Sequence, residues 1–205
     1  MDTDNLISWL LEQESHRALQ WLQEMLAGRR PVPADFNWQG LAECAASDAN
    51  PNRRNAFTPN LEWAYVAALA YTHLIEEEKK SSRLAHKPEL KKNIYTSYSL
   101  KLMRVRVNAI LAFGPAPDDL VRDINYLIET FFEDVSLSPQ DLLDISTGKK
   151  KERSFEDRME LHWLKQKLQI LQPLRKKHLL PEDQDLALWF SAWDQVLAAY
   201  KQRRQ

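Results

Sequence analysis

Histidine, glutamate and cysteine are the residue types of this chain that could support metal binding or nucleophilic chemistry. Glu12 lies four residues before His16, and His73 lies four residues before Glu77, so each pair shares one face of a helix. Two ligands leave a metal site incomplete, and the Glu-x-x-His element of helical dimetal centres is missing from the sequence. We interpret both pairs as surface contacts and expect no metal and no cofactor.

Catalytic motifs of other kinds are also missing. The four glycines, at positions 28, 40, 114 and 148, are too scattered to form a nucleotide-binding glycine loop, and no Gly-x-Ser-x-Gly or His-Glu-x-x-His occurs. Cys44 lies in a short apolar run, so we expect a buried, inert thiol. The sequence predicts a noncatalytic protein, and an enzyme whose site is assembled from distant residues is the third hypothesis.

Charge is strongly segregated along the chain although the net charge is only −1. Residues 1–78 carry a net charge of −7, residues 79–106 carry +8, residues 107–148 carry −7 and residues 149–178 carry +6. Alternating blocks of this kind either neutralise one another inside the fold or form basic surfaces for an acidic partner.

The basic blocks supply the candidate binding residues. Tyr95 and Tyr98 follow the first block and could stack on bases of a single nucleic-acid strand, but Tyr98 shares a helix face with apolar residues and is expected to point inward. The residues predicted to bind a partner or phosphate groups are Lys79, Lys80, Arg83, Lys87, Lys91, Lys92, Lys149, Lys150, Lys151, Arg153, Arg175, Lys176 and Lys177. A structural interpretation, in which they are solvated helix ends, stands beside the functional one.

Periodic apolar positions and start and stop signals predict the elements that carry these residues. Few glycines and no long β-branched runs argue against an all-β fold. The predicted helices cover about 5–27, 36–46, 59–80, 88–113, 117–135 and 139–147, a segment from 154 to Pro173, and a last segment that begins at Pro181. We therefore expect an all-α fold, a single irregular helical bundle of about seven helices packed around 88–113 and 117–135.

The segment 88–113 contains cationic side chains that lie among apolar ones. From Leu100 to Phe113 apolar side chains point in nearly every direction, and Arg104 and Arg106 lie among them. A helix that is apolar all round is normally buried, so we expect these arginines to pair with nearby carboxylates. The candidate partners are Asp118, Asp123, Glu129 and Glu133. A competing interpretation makes 104–107 a short strand because apolar and charged residues alternate there.

Composition and length bound the remaining predictions. A chain of 205 residues can bury a core without disulfides, and we expect residues 1–205 to form one domain. One cysteine fits a reducing compartment, the acidic start argues against a secretory signal, and no apolar run reaches the roughly 18 residues that span a bilayer. We expect a cytoplasmic protein without membrane contact.

These observations favour a noncatalytic helical adaptor or accessory subunit that binds a protein partner within a larger assembly through its charged faces. The alternative is a nucleic-acid-binding subunit that grips phosphates through basic helix ends without reading sequence. Neither the partner nor the oligomeric state follows from the sequence.

Overall fold

The computed structural model describes residues 3–48, 60–151 and 154–202. Within these ranges the chain forms nine α-helices and no strand, which confirms the all-α prediction. The helices are α1 (Thr3–Glu12), α2 (Ser15–Leu26), α3 (Trp38–Asp48), α4 (Leu61–Lys80), α5 (Pro88–Phe113), α6 (Ile124–Phe132), α7 (Pro139–Thr147), α8 (Phe155–Lys176) and α9 (Gln184–Gln202).

Local capping signals explain several boundaries. Ser138 and Asp141 form a capping box at the start of α7, and Gly148 ends that helix in the left-handed conformation. The Ser154 side chain accepts a hydrogen bond from the Asp157 N–H at the start of α8. These starts were predicted from the sequence and are confirmed. The predicted start at Thr58 and Pro59 lies outside the described residues.

The first predicted helix is interrupted. Glu14 adopts an extended conformation between α1 and α2, although its neighbours continue the helical periodicity. Tertiary contacts favour this break, because the Ser15 hydroxyl donates to Glu62 and accepts a hydrogen bond from the Asn60 side chain at 3.0 Å. The prediction of one helix over 5–27 was therefore wrong.

The helix predicted over 117–135 is shorter than expected. Asp118 has a φ of 55°, and the Asp119 carboxylate accepts hydrogen bonds from the N–H groups of Val121 and Arg122 at 3.0 and 3.2 Å. These side-chain contacts stabilise a turn in place of a first helical turn. Helix α6 consequently begins only at Ile124.

The observed helix boundaries test the predicted strand at 104–107, the predicted end at Pro173 and the predicted start at Pro181. Residues 104–107 lie within α5, so the strand interpretation was wrong. Helix α8 continues through Pro173 to Lys176, so the prediction that it ends at Pro173 was wrong. Helix α9 begins at Gln184 and not at the predicted Pro181, and the Leu186 N–H donates to Asp183 at 2.8 Å just before it. Arg106 is buried at 3% exposure whereas Arg104 is exposed. Their pairing with the named carboxylates stays a prediction.

Two compact units divide the chain, one up to Asp123 and the other from Ile124 onward. In the first unit, α3 and α5 both pack extensively on α4, around a core that includes Leu22, Leu41, Ala67, Tyr71 and Leu102. In the second unit, α7 packs on α9. Its buried side chains include Phe131, Leu142, Leu168, Trp189 and Val196. The expectation of one domain stays a prediction.

Within the same described ranges, no helix combines the length and the apolar character needed to cross a bilayer.

Candidate functional site

Six of the predicted binding residues lie at the end of one helical hairpin. Helices α4 and α5 are joined by residues 81–87 and run antiparallel, because Lys79 at the end of α4 contacts Tyr95 in the first half of α5. We call residues 72–99 the distal hairpin and residues 79–92 the hairpin tip. The predicted residues in the tip are Lys79, Lys80, Arg83, Lys87, Lys91 and Lys92.

Burial changes abruptly along this hairpin. The last buried residue of α4 is Tyr71 and the first of α5 is Leu100. All residues from 72 to 99 are described and none is buried, and Leu90 is 46% exposed. Leu74, Ile75 and Tyr98 are partly buried and still pack against the core cluster, so the distal hairpin leaves the core between these residues and the tip.

Lys91 has a structural role in the tip. Its Nζ atom donates to the carbonyl oxygens of Lys79 and Ser81, both at 2.7 Å. These carbonyls end α4 and have no partner within the helix, so an ammonium group there satisfies them and complements the helix dipole. Lys91 thus joins the end of α4 to the start of α5.

Other cations of the tip are close to acidic or aromatic side chains. The Lys79 Nζ atom lies 5.3 Å from the centre of the Tyr95 ring. Lys80 lies 3.6 Å from Glu76 with both side chains well exposed, and Arg83 lies 3.9 Å from Glu78. The exposed pair of Lys80 and Glu76 contributes little stability, whereas Glu78 is largely buried beside the exposed Arg83. The guanidinium of Arg83 and the ammonium of Lys80 both remain exposed to solvent.

Tyr98 packs against the core of the first unit, which confirms its predicted inward direction. Its hydroxyl donates to Gln39 at 3.1 Å, and the Lys101 Nζ atom lies 5.9 Å from the ring centre. Lys101 also donates to Glu43 at 2.6 Å, and this hydrogen bond is the main reason that the pKa of Glu43 lies below its usual value. This end of the exposed flank of α5 is therefore charge-neutralised.

The opposite end of the hairpin is fixed by a polar cluster. The Tyr65 hydroxyl donates to Asp119 at 2.5 Å, and Arg122 donates to the same oxygen at 2.8 and 3.0 Å. Burial, followed by the contact with Asp119, raises the pKa of Tyr65 to about 12. Burial alone would raise the pKa of Asp119, but hydrogen bonds from Tyr65, Val121 and Arg122 outweigh it and lower that pKa.

The basic residues predicted in the second unit divide into paired and exposed ones. Lys150 contacts Asp141, and this hydrogen bond is the largest cause that lowers the pKa of Asp141. Lys149 and Lys151 are exposed. Arg153 lies outside the described residues.

The cluster at the end of α8 shows the same division. Arg175 donates two hydrogen bonds to Asp194, at 3.0 and 2.8 Å, and its guanidinium lies 4.7 Å from the centre of the Phe190 ring. Lys176 and Lys177 are exposed. A continuous phosphate-tracking ridge would use all of these cations, and Lys150 and Arg175 already have carboxylate partners.

Arg175 also lines a pocket of about 530 Å³ in the second unit, between the end of α8 and the start of α9. His178, Glu182 and Asp183 contribute further polar groups to its wall. Arg175 is engaged by Asp194 and Asp183 caps α9, so two of the four groups already serve the fold. The enzymatic hypothesis stays an alternative.

The structure places two of the residues that could support chemistry, Cys44 and His73, on α3 and α4. Cys44 is exposed on α3, so the expectation of a buried thiol was wrong: the apolar face of α3 is formed by Leu41, Ala42 and Ala45 instead. His73 stacks on Trp38 at 4.2 Å, and burial lowers its pKa. In the part of the chain that the structure describes, no three His, Cys, Asp or Glu side chains are grouped as a metal site requires.

A pair of charged residues on α8 was missed by the sequence analysis. Lys167 is buried and donates to the carbonyl oxygens of Thr130, Phe131 and Glu133 at 2.9, 2.9 and 3.2 Å. Glu160 accepts hydrogen bonds from the N–H groups of residues 136 and 137 at 2.6 and 2.7 Å. The signal for Lys167 was its position on the apolar stripe of leucines that α8 buries.

Comparison of this chain with family models, with curated proteins and with solved structures gives no significant match.

Proposed function

We propose that this chain is a noncatalytic adaptor or accessory subunit that binds an acidic protein partner through the distal hairpin. The observation that carries the proposal is the burial pattern: twenty-eight consecutive residues, 72–99, include no buried residue, although they continue two helices whose other halves form the core.

Helix energetics support a binding role for this segment. Helices in proteins draw most of their stability from tertiary packing and little from intrinsic propensity. Contacts with α3 and with the core bury the distal hairpin only partly, through residues such as His73 and Tyr98. Toward the tip it retains the half-exposed apolar side chain of Ile94 and the exposed Leu90. A second protein that covers this surface would supply the missing packing.

The charge of the tip indicates what kind of protein would bind. Residues 79–92 contain six Lys or Arg side chains and one acidic side chain, Glu89. A surface of one sign attracts a partner of the opposite sign and accelerates its association. We therefore expect the partner to present carboxylates to the tip.

The nucleic-acid alternative has less support at this surface. Single-strand binding depends on aromatic rings on which bases stack. Here Lys79 lies over the ring of Tyr95, and Tyr98 packs against the core and bonds to Gln39. Both tyrosines already have partners within the chain.

Capture experiments with charge-reversed variants test the proposal. The full chain is immobilised and exposed to nuclease-treated extract of the native cell, with bound proteins eluted by rising salt. We expect an acidic protein to be retained by the wild type and lost from the variant K80E/R83E/K87E/K92E. The matched control is K149E/K151E/K176E/K177E, which reverses four exposed cations of the second unit and should retain the protein.

Two results would contradict the proposal. Retention of the same protein by the hairpin variant would place binding elsewhere. Loss of all retention after nuclease treatment, together with steeply salt-dependent binding of a labelled single strand, would favour the nucleic-acid alternative. Circular dichroism of both variants should match that of the wild type, since all reversed side chains are exposed.

A further inference from the structure

Exposed and half-exposed side chains of α5 form a regular line along the distal hairpin. Leu90, Ile94, Ser97 and Lys101 are separated by four, three and four residues, and Lys87, the residue just before α5, precedes Leu90 by three. Alternating steps of three and four keep side chains on one side of a helix, and the same spacing forms the contact seam of coiled coils. We call these five residues the α5 stripe.

This stripe lies beside the surface that α5 uses to contact α4. In the distal hairpin, the contacts with α4 include those of Lys91, through its two hydrogen bonds, and of Tyr95, through Lys79. Leu90 and Ile94 each precede one of these residues by a single position, which is about 100° around the helix. Leu90 and Ile94 therefore lie on a flank of α5 beside its contact with α4, and at the core end of this flank Lys101 is bound by Glu43 of α3.

The charge of the α5 stripe differs between its two ends. At the tip, Lys87 is exposed at the start of α5, and the exposed Lys80 and Arg83 belong to the same tip. At the other end, the charge of Lys101 is neutralised by Glu43. Between them lie the apolar side chains of Leu90, which is 46% exposed, and Ile94.

We propose that the α5 stripe docks one amphipathic helix of an acidic partner protein, with the apolar side chains of that helix on Leu90 and Ile94 and its carboxylates at the tip. This inference rests on the proposed function and assigns the residues and the chemistry of the contact. Helices recognise one another in this way when apolar residues repeat at three- and four-residue steps and flanking charges select the partner.

Charge complementarity favours such a helix over a second copy of this chain. A symmetric pairing with the two tips side by side brings two clusters of six cations together, and like charges across an interface cost binding energy. An acidic helix meets no such repulsion.

Binding of a synthetic peptide to the full chain tests the inference. The probe is a fluorescein-labelled amphipathic helix of about three heptads with leucine at the seam positions and glutamate on the flanks; its matched control carries lysine in place of glutamate. We expect fluorescence anisotropy to show that the glutamate peptide binds, that added salt weakens the binding, and that the lysine peptide binds at least tenfold more weakly.

Variants locate the contact. L90Q/I94Q keeps good helix formers in α5 while it removes the apolar side chains, and we expect at least a tenfold loss of affinity. The control L188Q replaces an apolar side chain of α9 that is 59% exposed, and its affinity should stay within twofold of the wild type. Equal binding by L90Q/I94Q and wild type, equal binding of the two peptides, or no binding of the glutamate peptide would each overturn the inference.

The remaining outcomes separate this inference from the proposed function. A dimer in sedimentation experiments that L90Q/I94Q dissociates would assign the stripe to a second copy, and a labelled single strand that competes with the peptide would assign it to nucleic acid. If the glutamate peptide does not bind but the chain still captures an acidic protein from extract through the hairpin cations, the assignment of the contact to the α5 stripe is wrong and the proposed adaptor function is retained. If the chain neither binds the peptide nor captures an acidic protein, both the contact at the α5 stripe and the adaptor function are wrong.

Discussion

Residues 100–113 and residues 88–99 belong to one uninterrupted helix, α5, and they differ in almost every physical respect. Eight residues of the first segment are buried, including Arg106, whereas the second segment has none. The first segment is stabilised by apolar packing in the core, and the second by Lys91, which caps α4, by Tyr95 under the Lys79 cation and by partial packing of Tyr98 on the core. One helix thus provides both a core element and a surface that other molecules can reach.

Truncation of one apolar side chain in each segment should show the largest contrast. Ile110 is 1% exposed, so Ile110→Ala should lower the free energy of unfolding by about 2–5 kcal/mol through lost burial and a cavity. Leu90→Ala removes a side chain that is 46% exposed and should change the free energy of unfolding by less than about 0.5 kcal/mol. Urea unfolding measures both, and equal effects would abolish the distinction between the segments.

Two capping lysines test whether burial also decides the strength of a polar contact. Lys167→Met leaves the buried carbonyls at the end of α6 without a donor and should cost about 1–3 kcal/mol. Lys91→Met exposes the end of α4 to water, which can hydrate it, so the cost should be about 0.5–1 kcal/mol. A larger loss from Lys91→Met would mean that the distal hairpin depends on its cap more than on packing.

Low pH should reduce the free energy of unfolding through protonation of Asp119, which lies at the core end of the hairpin. Because its pKa is depressed in the folded state, the stability it contributes is complete above its ordinary value of 3.8 and is lost as the pH falls through the folded pKa. Asp119→Asn should therefore be less stable than wild type at pH 7, and the difference should shrink at pH 3. Urea unfolding at the two pH values measures this, with the exposed neighbour in Asp118→Asn as the control. A difference that is unchanged by pH would contradict the role of the carboxylate.

The smallest effect is expected at the tip. Lys80 and Glu76 are four residues apart on α4, 3.6 Å from each other and mostly exposed. Lys80→Gln should therefore change the free energy of unfolding by less than about 0.5 kcal/mol, since solvent and salt screen such pairs. Thermal unfolding at low and high salt measures it. A loss above 1 kcal/mol would show that the tip cations stabilise the fold and are not reserved for a partner.

Local chemistry made several elements predictable from the sequence. Ser138 and Ser154 cap their helices because a serine hydroxyl followed three residues later by an acid satisfies the first amides, whatever the rest of the fold does. Gly148 ends α7 because it adopts a positive φ without a steric penalty. Each signal acts within a few residues and can be recognised in isolation.

Long-range contacts made the other features unpredictable. The break at Glu14 depends on hydrogen bonds of Ser15 to residues more than forty positions away. Lys91 and Lys150 were predicted as binding residues from charge alone, and only the folded chain shows that one caps α4 and the other contacts Asp141. The accessible flank of α5 also depends on where α4 packs. Local sequence therefore located the basic tip without showing which of its cations the fold already uses.

Glu160 and Lys167 attach the segment between α6 and α7 to α8 at two points, and their separation along α8 fixes the distance between those points. The two residues are seven positions apart, which is about 10.5 Å along the helix and nearly two full turns, so their head groups project on one side. One binds the N–H groups before α7 and the other binds the carbonyls that end α6. A single-residue insertion between them in α8 would rotate one head group by about 100° and break one of the two attachments. We therefore expect the length of α8 between residues 160 and 167 to be intolerant of insertions that most surface loops accept.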